Sequence, residues 1–246
     1  MAVPPAEAER ARAVMLELFP EGFEERDCAD GIELAAYTDA GGEERLWSAF
    51  GGARSTKVEE GWEDRWRAFH RPVRIGPLWV GPPWEQPDAD AVAVVVDPGR
   101  AFGTGAHATT RLCLELLLDA PRGSLLDVGC GSGVLSIAAA RLGFAPVHAV
   151  DLDPQAIEAT ERNAVANAVA VATRLADATV EPMPATENAV VNVALEVDES
   201  IAAGLRCERI ITSGYLAAEE AELSGYRRED RREAEGWAAD LHVRTQ

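Results

Sequence analysis

One stretch narrows the fold more than any other: Leu125-Leu126-Asp127-Val128-Gly129-Cys130-Gly131-Ser132-Gly133, followed by Val147-His148-Ala149-Val150-Asp151. Leu125 to Val128 is apolar and suits a buried parallel strand. The glycines permit a tight turn and close approach of backbone to a ligand. Ala138, Ala139 and Ala140 favour a helix over Val134 to Leu142, and Gly143 stands where that helix should stop. A second strand then ends on Asp151. Strand, glycine turn, helix, strand and terminal carboxylate is the layout of a nucleoside-cofactor site in an open α/β sheet. Asp151 lies at the distance where a carboxylate grips ribose hydroxyls.

Spacing separates the cofactors. In the dinucleotide fingerprint the third glycine comes three residues after the second, where helix and strand pack closely. Here it comes one residue early, at Gly133, and Val134 fills the dinucleotide position, which argues against a nicotinamide oxidoreductase. Asp-x-Gly-x-Gly-x-Gly resembles the first motif of class I methyltransferases. That resemblance implies S-adenosylmethionine, a cofactor without phosphate.

From Val92 onward the chain alternates strand-like and helix-like segments. Strands are predicted at 92–96, 124–128, 147–151, 170–175, 189–195, 208–213, 226–232 and 237–243, with helices at 108–118, 133–142, 154–167 and 197–205. Such alternation implies a parallel sheet covered by helices on both faces, and the last two strands, lacking a long helix between them, should form an antiparallel hairpin. The expected fold is therefore a Rossmann-like α/β domain over 91–246 with a mostly parallel seven-stranded sheet.

Ahead of it, residues 6–19 keep Ala11, Val14, Met15, Leu18 and Phe19 on one helical face. Strands over Phe23 to Arg26 and Ile32 to Thr38 follow, then a turn at Asp39 to Gly42, a short helix and a possible strand over Ser55 to Glu59. This αββαβ order describes a small ferredoxin-like domain over 1–60 without its first strand. Residues 61–90 are expected to be a linking helix and a connector rich in proline and glycine.

At 246 residues and 47% hydrophobic content, the chain can bury a sizeable core. Charges interrupt every apolar run before membrane-spanning length, and Met1 to Pro5 lacks a signal-peptide pattern. Cys28, Cys113, Cys130 and Cys207 are scattered without a C-x-x-C pair, so free thiols in a reducing cytoplasm fit better than disulfides or zinc. The four histidines are equally dispersed and suggest no metal site. A net charge of −19 serves solubility; it also repels nucleic acid and attracts basic partners. A monomer acting on a basic protein, with no nucleic acid or membrane partner, is the expectation.

Asp97-Pro98-Gly99-Arg100-Ala101-Phe102-Gly103-Thr104-Gly105-Ala106-His107-Ala108-Thr109-Thr110 is the more specific signal. It is a backbone-rich loop whose threonines can cap a following helix, and its amides suit a carboxylate. With the Asp127–Gly133 motif and Asp151-Leu152-Asp153-Pro154, it resembles the ribosomal protein L-eleven (L11) methyltransferase family. Gly61 to His70, Trp79 to Trp84, Val191-Asn192-Val193, Ser213 to Leu216 and Glu235-Gly236-Trp237 extend the resemblance. It implies an N-terminal domain that docks the ribosomal protein. It also implies a C-terminal domain that uses S-adenosylmethionine to methylate lysine and N-terminal amino groups. Thr110, Gly129, Asp151 and Asn192 fall on the family's cofactor-contacting positions, and Phe102, Gly103 and Thr104 on the loop over the methionine end; Gly131, in the glycine turn, is a further cofactor-binding candidate. Two departures stand out: the absent first strand, and polar Glu187-Asn188 where an apolar strand should start.

Amine methylation requires a neutral amine aligned with the methyl donor. Asn192 can accept hydrogen bonds from that amine, which makes it the catalytic candidate. His107 could accept a proton or simply serve its loop. Asp177 could reach the adenine amino group or remain a solvated carboxylate. Rival readings are a methyltransferase for another protein or a small molecule, and a non-catalytic cofactor-binding module.

Overall fold

The computed structural model describes residues 2–3, 11, 14–15, 18–19, 24–28, 31–36, 40–52, 71–97, 105–202 and 204–245. The chain divides into two compact units, Met1–Trp62 and Glu63–Gln246.

In the first unit, strands β1 (Ala2–Val3), β2 (Glu24–Cys28) and β3 (Gly31–Ala35) form an antiparallel sheet in the order β1-β3-β2. The first strand, expected to be missing, is therefore present. Two residues followed directly by Pro4-Pro5 are too few for alternation to register in sequence. Ile32 and Leu34 turn inward from β3, and with Val3, Ala11, Met15 and Phe19 they make the core of this unit. Helix α1 (Ala40–Phe50) starts where a turn was expected. Gly41 and Gly42 are tolerated because first-turn amides lack intrahelical partners in any case, and Glu43 favours that end. Leu46 and Phe50, one turn apart, pack on the core. The expected strand over 55–59 and linking helix over 61–70 lie outside the described residues.

The described part of the second unit opens with three strands, β4 (Val73–Ile75), β5 (Leu78–Gly81) and β6 (Val92–Val95), in a small sheet of that order. Part of the proline- and glycine-rich passage thus holds a hairpin. Gly76-Pro77 turns it, and Leu78, Trp79 and Val80 are all buried. The strand near 92–96 was expected in the large sheet; instead β6 pairs in parallel with β5. Its other edge is closed by a side chain. Asn167 accepts from the Val95 N–H at 2.8 Å and donates to the Val95 carbonyl at 2.6 Å, as a neighbouring strand would.

The remaining strands are β7 (Leu125–Val128), β8 (Val147–Asp151), β9 (Ala172–Leu175), β10 (Asn188–Asn192), β11 (Arg209–Leu216), β12 (Tyr226–Ala234) and β13 (Trp237–Arg244). They form one sheet in the order β12-β13-β11-β10-β7-β8-β9. Pairings from β11 across to β9 are parallel, while β13 is antiparallel to both β11 and β12. Helices α2 (Ala108–Asp119), α3 (Val134–Arg141), α4 (Pro154–Ala166) and α5 (Leu195–Ala202) alternate with the strands. Strand β10 ends three residues earlier than expected, because Leu195 already belongs to α5. The polar start of β10 locks it to its neighbour: the Glu187 carboxylate accepts from the amide and hydroxyl of Ser124, and Asn188 donates to the Pro121 and Ser124 carbonyls. Two apolar clusters fill the unit, one centred on Leu114, Leu117, Leu125 and Ile137, the other on Leu126, Val191, Ile210 and Tyr215. Among the described residues, no helix is long and apolar enough to cross a membrane.

Candidate active site

The chain direction reverses its progress across the sheet at β7. From β7 it steps outward to β8 and β9, then returns to lay β10 on the other side of β7. A crevice opens at the strand ends of such a switch point, where open α/β sheets take their ligands.

The glycine turn sits there. Gly129, Gly131 and Gly133 adopt φ of 73°, 54° and 81°, a region that favours glycine. The amides of Gly129 and Cys130 both donate to the Val150 carbonyl, at 2.9 and 3.1 Å, tying the turn to β8. Gly133, the residue capping α3, has no side chain to offer. Asp127 reaches across from β7 instead and accepts from the Ser136 amide at 3.0 Å and its hydroxyl at 2.6 Å. Burial is the main cause that pushes the Asp127 carboxyl up to about 6. Its other oxygen, Oδ1, is buried and has no hydrogen-bond partner among the described residues.

Helix α4 supports the turn from beneath. The Thr160 hydroxyl donates to the Gly131 carbonyl at 3.1 Å. Asn163 donates to the Ser132 carbonyl at 2.9 Å and accepts from the Asp97 amide at 3.1 Å. One buried amide thus ties the start of the Asp97 loop to the glycine turn. Sequence reasoning missed these residues. Their signal was a polar stripe at 160, 163 and 167, at three- and four-residue spacing on a helix.

Asp151 ends β8 with its carboxylate held at both oxygens. Oδ2 accepts from the Gly131 amide and Oδ1 from the Asp153 amide, each at 3.0 Å. Each oxygen keeps a lone pair for a further donor. Asp153 in turn caps α4 through the Gln155 amide at 2.8 Å.

These elements enclose a cavity of about 510 Å³. Of the residues singled out from sequence, Thr110, Gly129, Gly131, Asp151 and Asn192 line it, together with His107 and Asp177. Phe102 and Thr104 lie outside the described residues. Asp177 accepts from the amide and hydroxyl of Thr179, at 2.9 and 2.5 Å, and these bonds hold its carboxyl below the usual range. His107 caps α2, its Nδ1 accepting from the Thr109 amide at 3.4 Å. Asn192 is the last residue of β10, half-buried, next to Val193. That neighbour explains Gly214 on β11: at φ 110°, a Cβ there would collide with the Val193 carbonyl. Trp237, the first residue of β13, closes the far end of the cavity and meets His107 edge to face at 5.0 Å between ring centres.

Along the sheet, the cavity wall therefore runs from Asp177 after β9, through Asp151, Gly129 and Asn192, to Gly214 and Trp237. A glycine turn of this spacing, a carboxylate on the adjoining strand and a sheet finished by an antiparallel strand define the class, an α/β methyltransferase of the S-adenosylmethionine-dependent type. Residues 12–239 match the family described as "Ribosomal protein L11 methyltransferase (PrmA)", and the chain belongs to that family. It is 40% identical over 236 residues to the ribosomal protein L11 methyltransferase of Methylococcus capsulatus, covering 87% of this chain and 79% of that protein. It is 37% identical over 204 residues to the enzyme of that name in Symbiobacterium thermophilum, covering 76% of this chain and 66% of the relative. Among solved structures, it resembles a ribosomal protein L11 methylase from Lactobacillus delbrueckii subsp. bulgaricus with a TM-score of 0.64 and 25% identity, covering 72% of this chain and all of that one.

Proposed function

We propose that this protein transfers methyl groups from S-adenosylmethionine to lysine or N-terminal amino groups of ribosomal protein L11, in the cytoplasm. Family membership supports the substrate. The observation that carries the chemistry is the meeting, in one cavity, of the glycine turn, the Asp151 carboxylate and Asn192. A cavity of about 510 Å³ suits a ligand of nucleoside-plus-amino-acid size. The left-handed glycines leave backbone bare where a cofactor would press, and the spare lone pairs of Asp151 suit a ribose diol.

When bound, S-adenosylmethionine supplies an activated methyl group whose departure leaves a neutral thioether. The work left to the chain is alignment, and exclusion of water from the amine. Asp151 would hold the ribose hydroxyls, and Ala176, Asp177 and Ala178 would border the adenine. Gly129 and Gly131 would bring backbone against the cofactor, and Thr110, at the start of α2, would meet its methionine end. The family resemblance assigns Phe102 and Thr104 to that end as well. Asn192, two strands from Asp151 and so roughly 10 Å along the sheet, accepts a hydrogen bond from the amine through its side-chain carbonyl. Only the neutral amine both donates to Asn192 and keeps its lone pair for attack.

The N-terminal unit, with its β1-β3-β2 sheet and helix α1, is proposed as a ferredoxin-like docking domain for the basic ribosomal protein. The test is to incubate the purified chain with L11 and labelled S-adenosylmethionine and to locate the label by mass spectrometry. Label on L11 amino groups is expected. Cofactor binding without label on L11 would move the assignment to another acceptor.

A further inference from the structure

We propose that Arg111 is a positioning residue whose guanidinium clamps the loop bearing His107 to the hairpin bearing Trp237, and so sets the acceptor end of the cavity. The inference rests on the proposed methyltransferase activity.

Arg111 lies in the first turn of α2 and makes two bonds in opposite directions. One nitrogen donates to the Ala106 carbonyl at 3.2 Å, immediately before His107. The other pairs with Glu235 at 2.5 Å, two residues before Trp237. The rings of His107 and Trp237 meet edge to face, with planes at 67°. Both line the cavity beyond Asn192, away from Asp151 and Asp177.

Glu235 is an odd choice for its place. Glu235-Gly236 is a two-residue hairpin loop with φ of 55° and 82°. Such loops favour asparagine, aspartate or glycine at the first position, and a longer side chain there is strained. Stability does not explain the choice, because an exposed ion pair adds little, and the Glu235 side chain is 66% exposed. Reach does: a glutamate at this position spans to α2, and the pair fixes the register of the hairpin tip on which Trp237 stands. A planar fork can hold Ala106 and Glu235 at once, which the single nitrogen of lysine does poorly.

The test uses the full chain with Arg111→Ala, Arg111→Lys and Glu235→Gln. Calorimetric affinity for S-adenosylmethionine should stay within about twofold of the parent, because the cofactor residues are untouched. Turnover of L11 should fall about tenfold in Arg111→Ala, as expected for misplacement of a positioning group. Arg111→Lys should fall between Arg111→Ala and the parent. In fluorine NMR of 5-fluorotryptophan-labelled protein, the Trp237 resonance, assigned with Trp237→Phe, should move in Arg111→Ala and Glu235→Gln and move less in Arg111→Lys. Parental turnover in Arg111→Ala overturns the proposal, and so does lost turnover with an unmoved Trp237 resonance. If the parent transfers no methyl group to L11 while the resonance responds as stated, the acceptor assignment fails and the clamp stands.

Discussion

Asp151 shows how a single side chain can serve both the fold and a ligand. Its two oxygens already accept from the Gly131 and Asp153 amides, so the carboxylate is oriented before any ligand arrives. On the proposed function, Asp151→Ala would remove the charge-assisted bonds to the ribose. At about 1.5–3 kcal/mol for such bonds, the loss should weaken S-adenosylmethionine binding tenfold or more. Titration calorimetry on the folded variant checks this, and an unchanged Kd would remove Asp151 from the site. Two other buried groups act on stability, with opposite signs. Burial, helped by the Arg228 charge, lowers His242 to about 4 from 6.5. The stabilising contribution of neutral His242 is therefore fully present above pH 6.5 and lost as pH falls toward 4, by up to about 3 kcal/mol. Asp127, raised to about 6 from 3.8, favours the fold below pH 3.8 and loses that contribution as pH rises through 6. Urea unfolding at pH 7.5 and 4.5 should show a smaller acid loss in His242→Leu than in the parent, and a larger one in Asp127→Asn.

At the scale of elements, the site is built less by strands than by what ties them together. Helix α4 presents a polar face inward, where Asn167 closes the edge of β6 and Asn163 joins the Asp97 loop to the glycine turn. Asn167→Ala leaves the Val95 amide and carbonyl without that partner. It should cost about 1–3 kcal/mol in chemical denaturation. Parental stability would mean that water replaces the side chain and that α4 is only a cover. Much of this layer was legible in the sequence. The runs that became β7, β8 and β12 and the helices around 108–118 and 154–167 stand within a few residues of their predicted ends. Local signals sufficed for them: apolar runs, glycine turns and caps. The hairpin of β4 and β5 was not legible, because Leu78-Trp79-Val80 is buried on both sides and does not alternate, amid prolines that look like connector. The short helix expected after the turn is present as α1, and only its start was hidden by its glycines.

The whole molecule consists of two compact units, and the proposed function divides docking and methyl transfer between them. Deleting residues 1–60 should abolish methylation of L11 and leave the affinity for S-adenosylmethionine unchanged, measured side by side by label transfer and calorimetry. Equal label transfer by the truncated chain would show that the first unit does not dock the substrate. By itself, the sequence determined whatever rests on contiguous residues. The glycine turn and the terminal carboxylate of β8 follow from spacing alone, since backbone sterics act between neighbours, and the class of cofactor from the resemblance of that spacing to the methyltransferase motif. Only the tertiary structure decided where β6 belongs, which amide closes its edge, and that Arg111 and Glu235, 124 residues apart, bring His107 and Trp237 together. Those outcomes depend on pairings between distant segments, and no local preference in the chain encodes which partner will be there.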